Sequence, residues 1–271
     1  MPGYPGGMPS ATSTGYRSRD ASRLALPVRL MLILLTNDDG IDAPGLRALV
    51  EAFEDEQPWV VAPAGPCSGT GQALGLYADI GVERRGPREW AVGGTPTDCV
   101  KLALLELLPG PPGLVLSGIN PGPNMGYNIH YSGTVAAATE AAFWGIPAIA
   151  ASVGAGKPAH LDSAAAVLAR IVRAGGWRAL PMHTVLNVNV PDLPAERIGR
   201  AVWTRSARFS ADVPFTVVDP GKVYRYTRWV GQDVSPGAHP TDVETLTRGD
   251  ISLTLLGTDR SLEAGGLPPL L

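Results

Sequence analysis

Apolar and polar positions along this chain follow two rhythms. In the stretch MLILLTNDDG, Leu32 to Leu35 form an unbroken apolar run closed by polar residues, the pattern of a strand buried on both faces. Asp42, Ala43 and Pro44 then read as a helix cap and first turn, and Leu46, Leu49, Val50 and Phe53 recur at helical spacing. The alternation returns with WVVAP (59–63) as a strand, CVKLALLELL (99–108) as a helix and GLVLSG (113–118) as a buried strand. A helix follows in SGTVAAATEAAFWG, ending at Gly145, and IPAIAAS returns as a strand. Such alternation predicts an α/β fold: a mostly parallel sheet flanked by helices, with ligands outside the carboxyl ends of its strands.

Beyond residue 180 the texture becomes β-rich. TVLNVNVP has a period of two, GDISLTLL reads as a final strand, and PFTVVDPGKVYRYTRWV predicts a long hairpin turning around Asp219, Pro220 and Gly221. The expected organisation is a core over 31–180, then a β-rich part over 181–260 that carries a protruding hairpin at about 213–230, and a tail at 261–271. A hairpin bearing Val217, Val218, Val223, Tyr224 and Tyr226 needs a partner surface, which predicts a homo-oligomer. Residues 1–30 are rich in Gly, Pro, Ser and Arg, have no signal-peptide core, and read as a disordered, dispensable extension before Met31.

Composition narrows the chemistry. Hydrophobic residues make up 45% and charged residues 17%, ordinary values for a globular protein. The net charge of -3 argues against a nucleic acid polymer as partner, because phosphate neutralisation needs a basic surplus. No run is long enough for a membrane span, and the two cysteines, Cys67 and Cys99, suggest neither a disulfide framework nor a zinc site; a cytoplasmic location is expected.

The candidate chemistry gathers at strand ends. Asp38 and Asp39 close the first strand, where chain curvature can bring two hard carboxylates into one small volume suited to Mg²⁺ or Mn²⁺; Asp39-Gly40 can equally be a plain turn. APAGPCSGTGQ follows the second strand and offers Ser68 as a hydroxyl ligand among glycines; its Gly69, Gly71 and Gly75 spacing is one residue too long for a dinucleotide fingerprint. SGINPGPNMG places Asn120 and Asn124 in a Gly/Pro loop, able to coordinate through oxygen or donate through nitrogen, or simply to turn the chain. HYSGT puts Ser132, Gly133 and Thr134 at a helix N-terminus, a ready anion site and also an ordinary cap. The four histidines, His130, His160, His183 and His239, lack metal-ligand spacing, and no G-x-S-x-G elbow appears. His130 is better read as a supporting residue than as a general base.

Taken in order, ILLTNDDGIDAPGLRAL, the AP....SG.G loop at 62–71, GGTPTDCVKLAL, VLSGINPGPNMG and HYSGTVAAATEAAFWGIPAIA resemble the SurE stationary-phase survival proteins, over about residues 31–260. The resemblance implies a Rossmann-like core with a C-terminal β-hairpin exchanged in homodimers or homotetramers. It also implies divalent-metal-dependent hydrolysis of nucleoside 5'-monophosphates and 3'-monophosphates, sometimes with polyphosphate activity. Carried over by position, it implies one Mg²⁺ or Mn²⁺ per subunit on Asp38, Asp39, Ser68 and Asn120, with the two aspartates as the catalytic pair. Asn37, Asn124, Ser132, Gly133 and Thr134 would then contact the substrate phosphate.

Two departures stand out. Tyr127 and Asn128 occupy positions where relatives often carry acidic residues, and Ala64, Gly65, Pro66 and Cys67 replace charged residues ahead of the serine. Direct attack by water is favoured over an aspartyl-phosphate, since that chemistry uses a D-x-D motif. The rival reading is a metal-dependent nucleotide-binding or signalling module that does not turn over.

Overall fold

The computed structural model describes residues 31–154, 157–208, 215–226 and 239–261. The expected extension at 1–30, the tail beyond Ser261 and the hairpin flanks at 213–214 and 227–230 lie outside the described residues.

Strands β1 (Ile33–Thr36), β2 (Trp59–Pro63), β3 (Val82–Gly86), β4 (Glu89–Val92), β5 (Leu114–Pro121), β6 (Ala148–Val153) and β7 (Thr184–Val190) are followed by β8 (Ala201–Thr204), β9 (Phe215–Asp219), β10 (Val223–Tyr226) and β11 (Ile251–Gly257). Nine of them form one sheet in the order β3-β4-β2-β1-β5-β6-β7-β11-β8. From β4 to β7 all neighbours are parallel, β3 and β11 pair antiparallel at either side, and β8 runs parallel to β11. The chain builds outward from β1 through β2 on one side and from β5 through β7 on the other. The order therefore reverses between β1 and β5, and a crevice opens at their carboxyl ends.

Among the described residues, five α-helices accompany the sheet: α1 (Pro44–Ala52), α2 (Pro96–Leu102), α3 (Gly133–Phe143), α4 (Leu161–Ala174) and α5 (Asp242–Thr247). Alternation along β1 sends Ile33 and Leu35 to one face, where they pack with Leu46, Leu49 and Phe53 of the α1 region and with Leu168 and Val172 of α4. Leu34 faces the other way, onto Cys99 and Val100 of α2 and Val135 and Ala138 of α3. Both faces are thus dry, as a parallel sheet requires. Cutting a fully buried core leucine such as Leu46 to alanine costs about 2–5 kcal/mol in packings of this kind.

Several boundaries differ from those read in the sequence, each for a local reason. Helix α2 starts three residues before Cys99 because Thr95 and Asp98 form a reciprocal capping box. The Thr95 hydroxyl accepts from the Asp98 N–H (3.1 Å), the Asp98 carboxylate accepts from the Thr95 N–H (2.9 Å), and Pro96 fits the first turn. Helix α1 begins at Pro44 behind Ala43 with no side-chain cap, so Asp42 does not cap it. Of the described strands past residue 180, β7, β11 and β8 extend the main sheet, and β9 and β10 form a separate two-stranded sheet.

Candidate active site

The loop leaving β1 is closed by Asn37, which is fully buried. Its amide nitrogen donates to the Gly40 carbonyl (2.9 Å), and its side-chain oxygen accepts from the Gly40 N–H (3.2 Å). This small ring closes the turn that carries Asp38 and Asp39.

The two carboxylates meet different surroundings. Asp38 is 3% exposed and faces the start of α3, where the Thr134 hydroxyl donates to its Oδ1 (2.5 Å). Burial pushes the Asp38 carboxyl above its ordinary range. The Thr134 hydroxyl and the backbone N–H groups of Thr134, Asp38 and Gly133 pull it partly back. Gly133 is required for this approach, since a Cβ on it would stand 2.7 Å from the Asp38 Cβ. Asp39 has no such support. Its Oδ2 is buried without a hydrogen-bond partner, and burial, then the charge of Asp38, pushes the carboxyl up to about 6. A satisfied carboxylate beside an unsatisfied one leaves a negative, desolvated position that a cation would relieve.

Other loops are strapped around this pair. The Cys67 N–H donates to the Asp38 carbonyl (2.7 Å) and the Gly71 N–H to the Tyr131 carbonyl (3.0 Å), so the loop carrying exposed Ser68 is pinned between them. Thr36 pairs with Ser117 across β1 and β5, and Asp39 and Asn120 each lie three residues further on, at the same edge of the sheet. Asn120 donates its amide N–H to the Gly122 carbonyl (2.6 Å), which leaves its side-chain oxygen as the group for coordination.

Asn124 is held from below. Its amide nitrogen donates to the Ser152 hydroxyl (2.9 Å), its backbone N–H to Asn189 Oδ1 (2.9 Å), and its carbonyl accepts from Asn187 (2.8 Å) and Asn189 (3.1 Å). Ser132 caps α3 by accepting from the Val135 N–H (3.1 Å).

Of the residues predicted from the sequence, Asp38, Gly133 and Thr134 are in direct contact, and Asn37, Asp39 and Ser68 belong to loops tied to them. Asn120 and Asn124 sit on the β5 side and are linked through Ser152, the register partner of Asn120. Gly133 and Thr134, expected on the phosphate, turn toward Asp38 in this structure. The side chains of Asn37 and Asn124 are engaged with Gly40 and Ser152. Sequence reasoning missed Ser152, Asn187, Asn189 and Asp242. The one visible cue was the pair of asparagines at alternate positions of NVNVP, on one face of a strand that is otherwise apolar.

Among the described residues there is no group of three or more His, Cys, Asp and Glu side chains placed to hold a metal. A cation here would have two carboxylates, an amide oxygen and a hydroxyl, an all-oxygen set that suits Mg²⁺ or Mn²⁺ and not zinc. The buried, unpartnered Asp39 Oδ2 fits that reading.

The family described as Survival protein SurE matches residues 33–212. A 5'-nucleotidase SurE of Alkalilimnicola ehrlichii is 43% identical over 236 residues, covering 85% of this chain and 90% of the relative. One from Geobacter sulfurreducens is 44% identical over 236 residues, with 84% and 88% covered. Among solved structures, the crystal structure of SurE protein from Aquifex aeolicus superposes with a TM-score of 0.74 at 34% identity, over 85% of this chain and 94% of that one.

Proposed function

The chain belongs to the SurE family, and from that premise we propose that it is a 5'-nucleotidase, a divalent-metal-dependent phosphomonoesterase acting on nucleoside 5'-monophosphates. The observation that carries the proposal is the Asp38–Asp39 pair, one carboxylate anchored at the N-terminus of α3 and the other with a buried oxygen, Oδ2, that has no hydrogen-bond partner.

Asp38, Asp39, Ser68 and Asn120 would hold one Mg²⁺ or Mn²⁺. Bound there, the ion supplies activation of water at neutral pH and withdrawal of charge from the phosphoryl group. The protein's own part is positioning. Asn37 fixes the aspartates, Gly133 and Thr134 fix Asp38, and the Ser132 hydroxyl, the remaining amide N–H of Asn124 and the positive dipole end of α3 would serve a phosphate. Two carboxylates bring a divalent ion close to neutrality, so an anionic substrate is attracted without a basic pocket. Hydrolysis of 3'-monophosphates and of polyphosphate belongs to the same proposal, because the proposed site would act on the phosphoryl group. The exposed β9–β10 hairpin would engage further copies of the chain in a dimer or tetramer, and the enzyme would work in the cytoplasm. No helix among the described residues is long and apolar enough to cross a membrane.

The test is inorganic phosphate release from 5'- and 3'-nucleoside monophosphates with Mn²⁺, Mg²⁺ or excess EDTA. Release that EDTA abolishes is the expected result. Folded protein that binds nucleotide and releases no phosphate with either ion would overturn the enzyme in favour of the binding module.

A further inference from the structure

The segment between β5 and α3 carries Asn124 and leads, through a 3-10 turn at Gly126–His130, directly into Ser132 and Gly133. Its upstream half hangs on Asn187, Asn189 and Ser152. At its midpoint is Gly126, with φ of +52, and its backbone N–H is the group that fixes how the chain leaves Asn124 for α3. That N–H does not bond within its own loop. It donates to Oδ2 of Asp242 (2.9 Å), a residue 116 positions away.

Asp242 is fully buried at the start of α5 and uses its other oxygen as well. Oδ1 accepts from the N–H groups of Ala207 (2.9 Å) and Val243 (2.9 Å), while the Asp242 N–H donates to the Arg205 carbonyl (3.0 Å). A single carboxylate thus joins three segments: the loop over the site, the chain leaving β8, and α5. The cap of α5 does not need it. That duty falls to Thr241 and Glu244, which form a reciprocal capping box of their own. A buried carboxylate is costly to desolvate, and one spent on a loop amide beside a phosphate site is a positioning device.

We propose that Asp242 is a positioning residue for the reaction, setting the 124–133 segment through Gly126 so that Asn124 and the first turn of α3 present the phosphate-facing geometry. The inference rests on the phosphatase reading given above. It differs from that reading in needing no contact between Asp242 and substrate.

The test compares Asp242→Asn with Glu244→Ala. The first keeps the shape but leaves one acceptor oxygen where the N–H groups of Gly126, Ala207 and Val243 share two, and sets an amide NH₂ against the rest; the second loosens the cap of the same helix and leaves the Gly126 bond alone. Hydrogen exchange is read on the 122–131 segment, and kcat and KM are read at a temperature where circular dichroism shows each variant fully folded. Asp242→Asn is expected to speed exchange of that segment and to lower kcat/KM by roughly tenfold to a hundredfold, the scale of small misplacements, while Glu244→Ala does neither. Equal effects from both variants, or wild-type exchange and kinetics in folded Asp242→Asn, would overturn the proposal. If Asp242→Asn does not fold, the wild-type protein still decides. The Gly126 amide must exchange more slowly than the neighbouring Tyr127 amide, and equal rates would overturn it. Were wild type to release no phosphate at all, the function would fail while the exchange data still reported on the Asp242 link.

Discussion

Two regions of this molecule use similar residues to opposite ends. In β2, Val60 and Val61 are buried between helices, and the strand finds all of its partners within the chain. In the β9–β10 hairpin, Val217 is 53% exposed and Tyr224 55%, and Val218 and Val223 are exposed beside them. Among the described residues its two strands pair with each other, and its turn is closed by the Lys222 N–H on the Asp219 carbonyl (3.0 Å). A two-stranded ribbon is marginal in water, and one that shows valines gains by being covered. The residues proposed for the strand-end site all come from one chain, whereas the hairpin shows apolar side chains that the proposed assembly would cover. Function is expected to follow the first region and assembly the second.

The largest effect should come from breaking the site where it is electrostatically incomplete. Asp39→Asn removes one carboxylate from the proposed ion set, and phosphate release should fall on the order of a hundredfold or more, since even supporting residues of metal sites cost 10–100-fold. The metal-free variant should melt no lower than wild type, because the carboxylate it loses is desolvated and without a hydrogen-bond partner. Full metal-dependent turnover in Asp39→Asn would remove that residue from the ligand set.

The contrast also explains what could be read from the sequence. The apolar runs of β1, β2 and β5, the alternation of β7 and the spacing of α1 announce themselves because buried strands and amphipathic helices impose such patterns. Glycine-rich segments at strand ends drew attention to Asp38, Ser68, Asn120 and Gly133. The β3–β4 hairpin was missed because β3, VERRG, is largely exposed and polar and carries no apolar signal. The start of α2 was legible in TPTD and went unread, since Cys99 opens a stronger apolar pattern. That Asp38 is bonded and Asp39 is not depends on how α3 docks, which no local pattern encodes. Asp242 was invisible for the same reason: its partners Ala207 and Gly126 lie 35 and 116 positions away.

A smaller and separable effect is expected at the hairpin. Val218→Asp with Val223→Asp should lower the molar mass seen by light scattering. Phosphate release per chain should change by less than the Asp39 substitution changes it, because neither valine is among the residues proposed for the strand-end site. If wild type is already a monomer at every concentration tested, the hairpin does not assemble the protein. If the double variant loses activity as completely as Asp39→Asn, the two regions are not separable and the site needs a partner chain.

The finest probe is pH. The Asp39 carboxyl sits at about 6 in the folded chain against an ordinary value of 3.8, so between those values the folded, metal-free protein holds a proton that the unfolded chain has released. Stability of the metal-free protein from this group is therefore greatest below about pH 4 and declines as pH rises toward 6. A divalent ion must displace that proton. Its affinity should be level above about pH 6 and fall below it, up to tenfold per unit. Mn²⁺ titrations by calorimetry at pH 5, 6 and 7.5 read this directly, and Asp39→Asn should flatten whatever dependence is found across that range. A pH profile unchanged in Asp39→Asn would assign the titration to Asp38, whose carboxyl burial also raises and whose bonds to Thr134 lower it in part. The unsatisfied carboxylate would then be a consequence of the site's shape and not the group that recruits the ion.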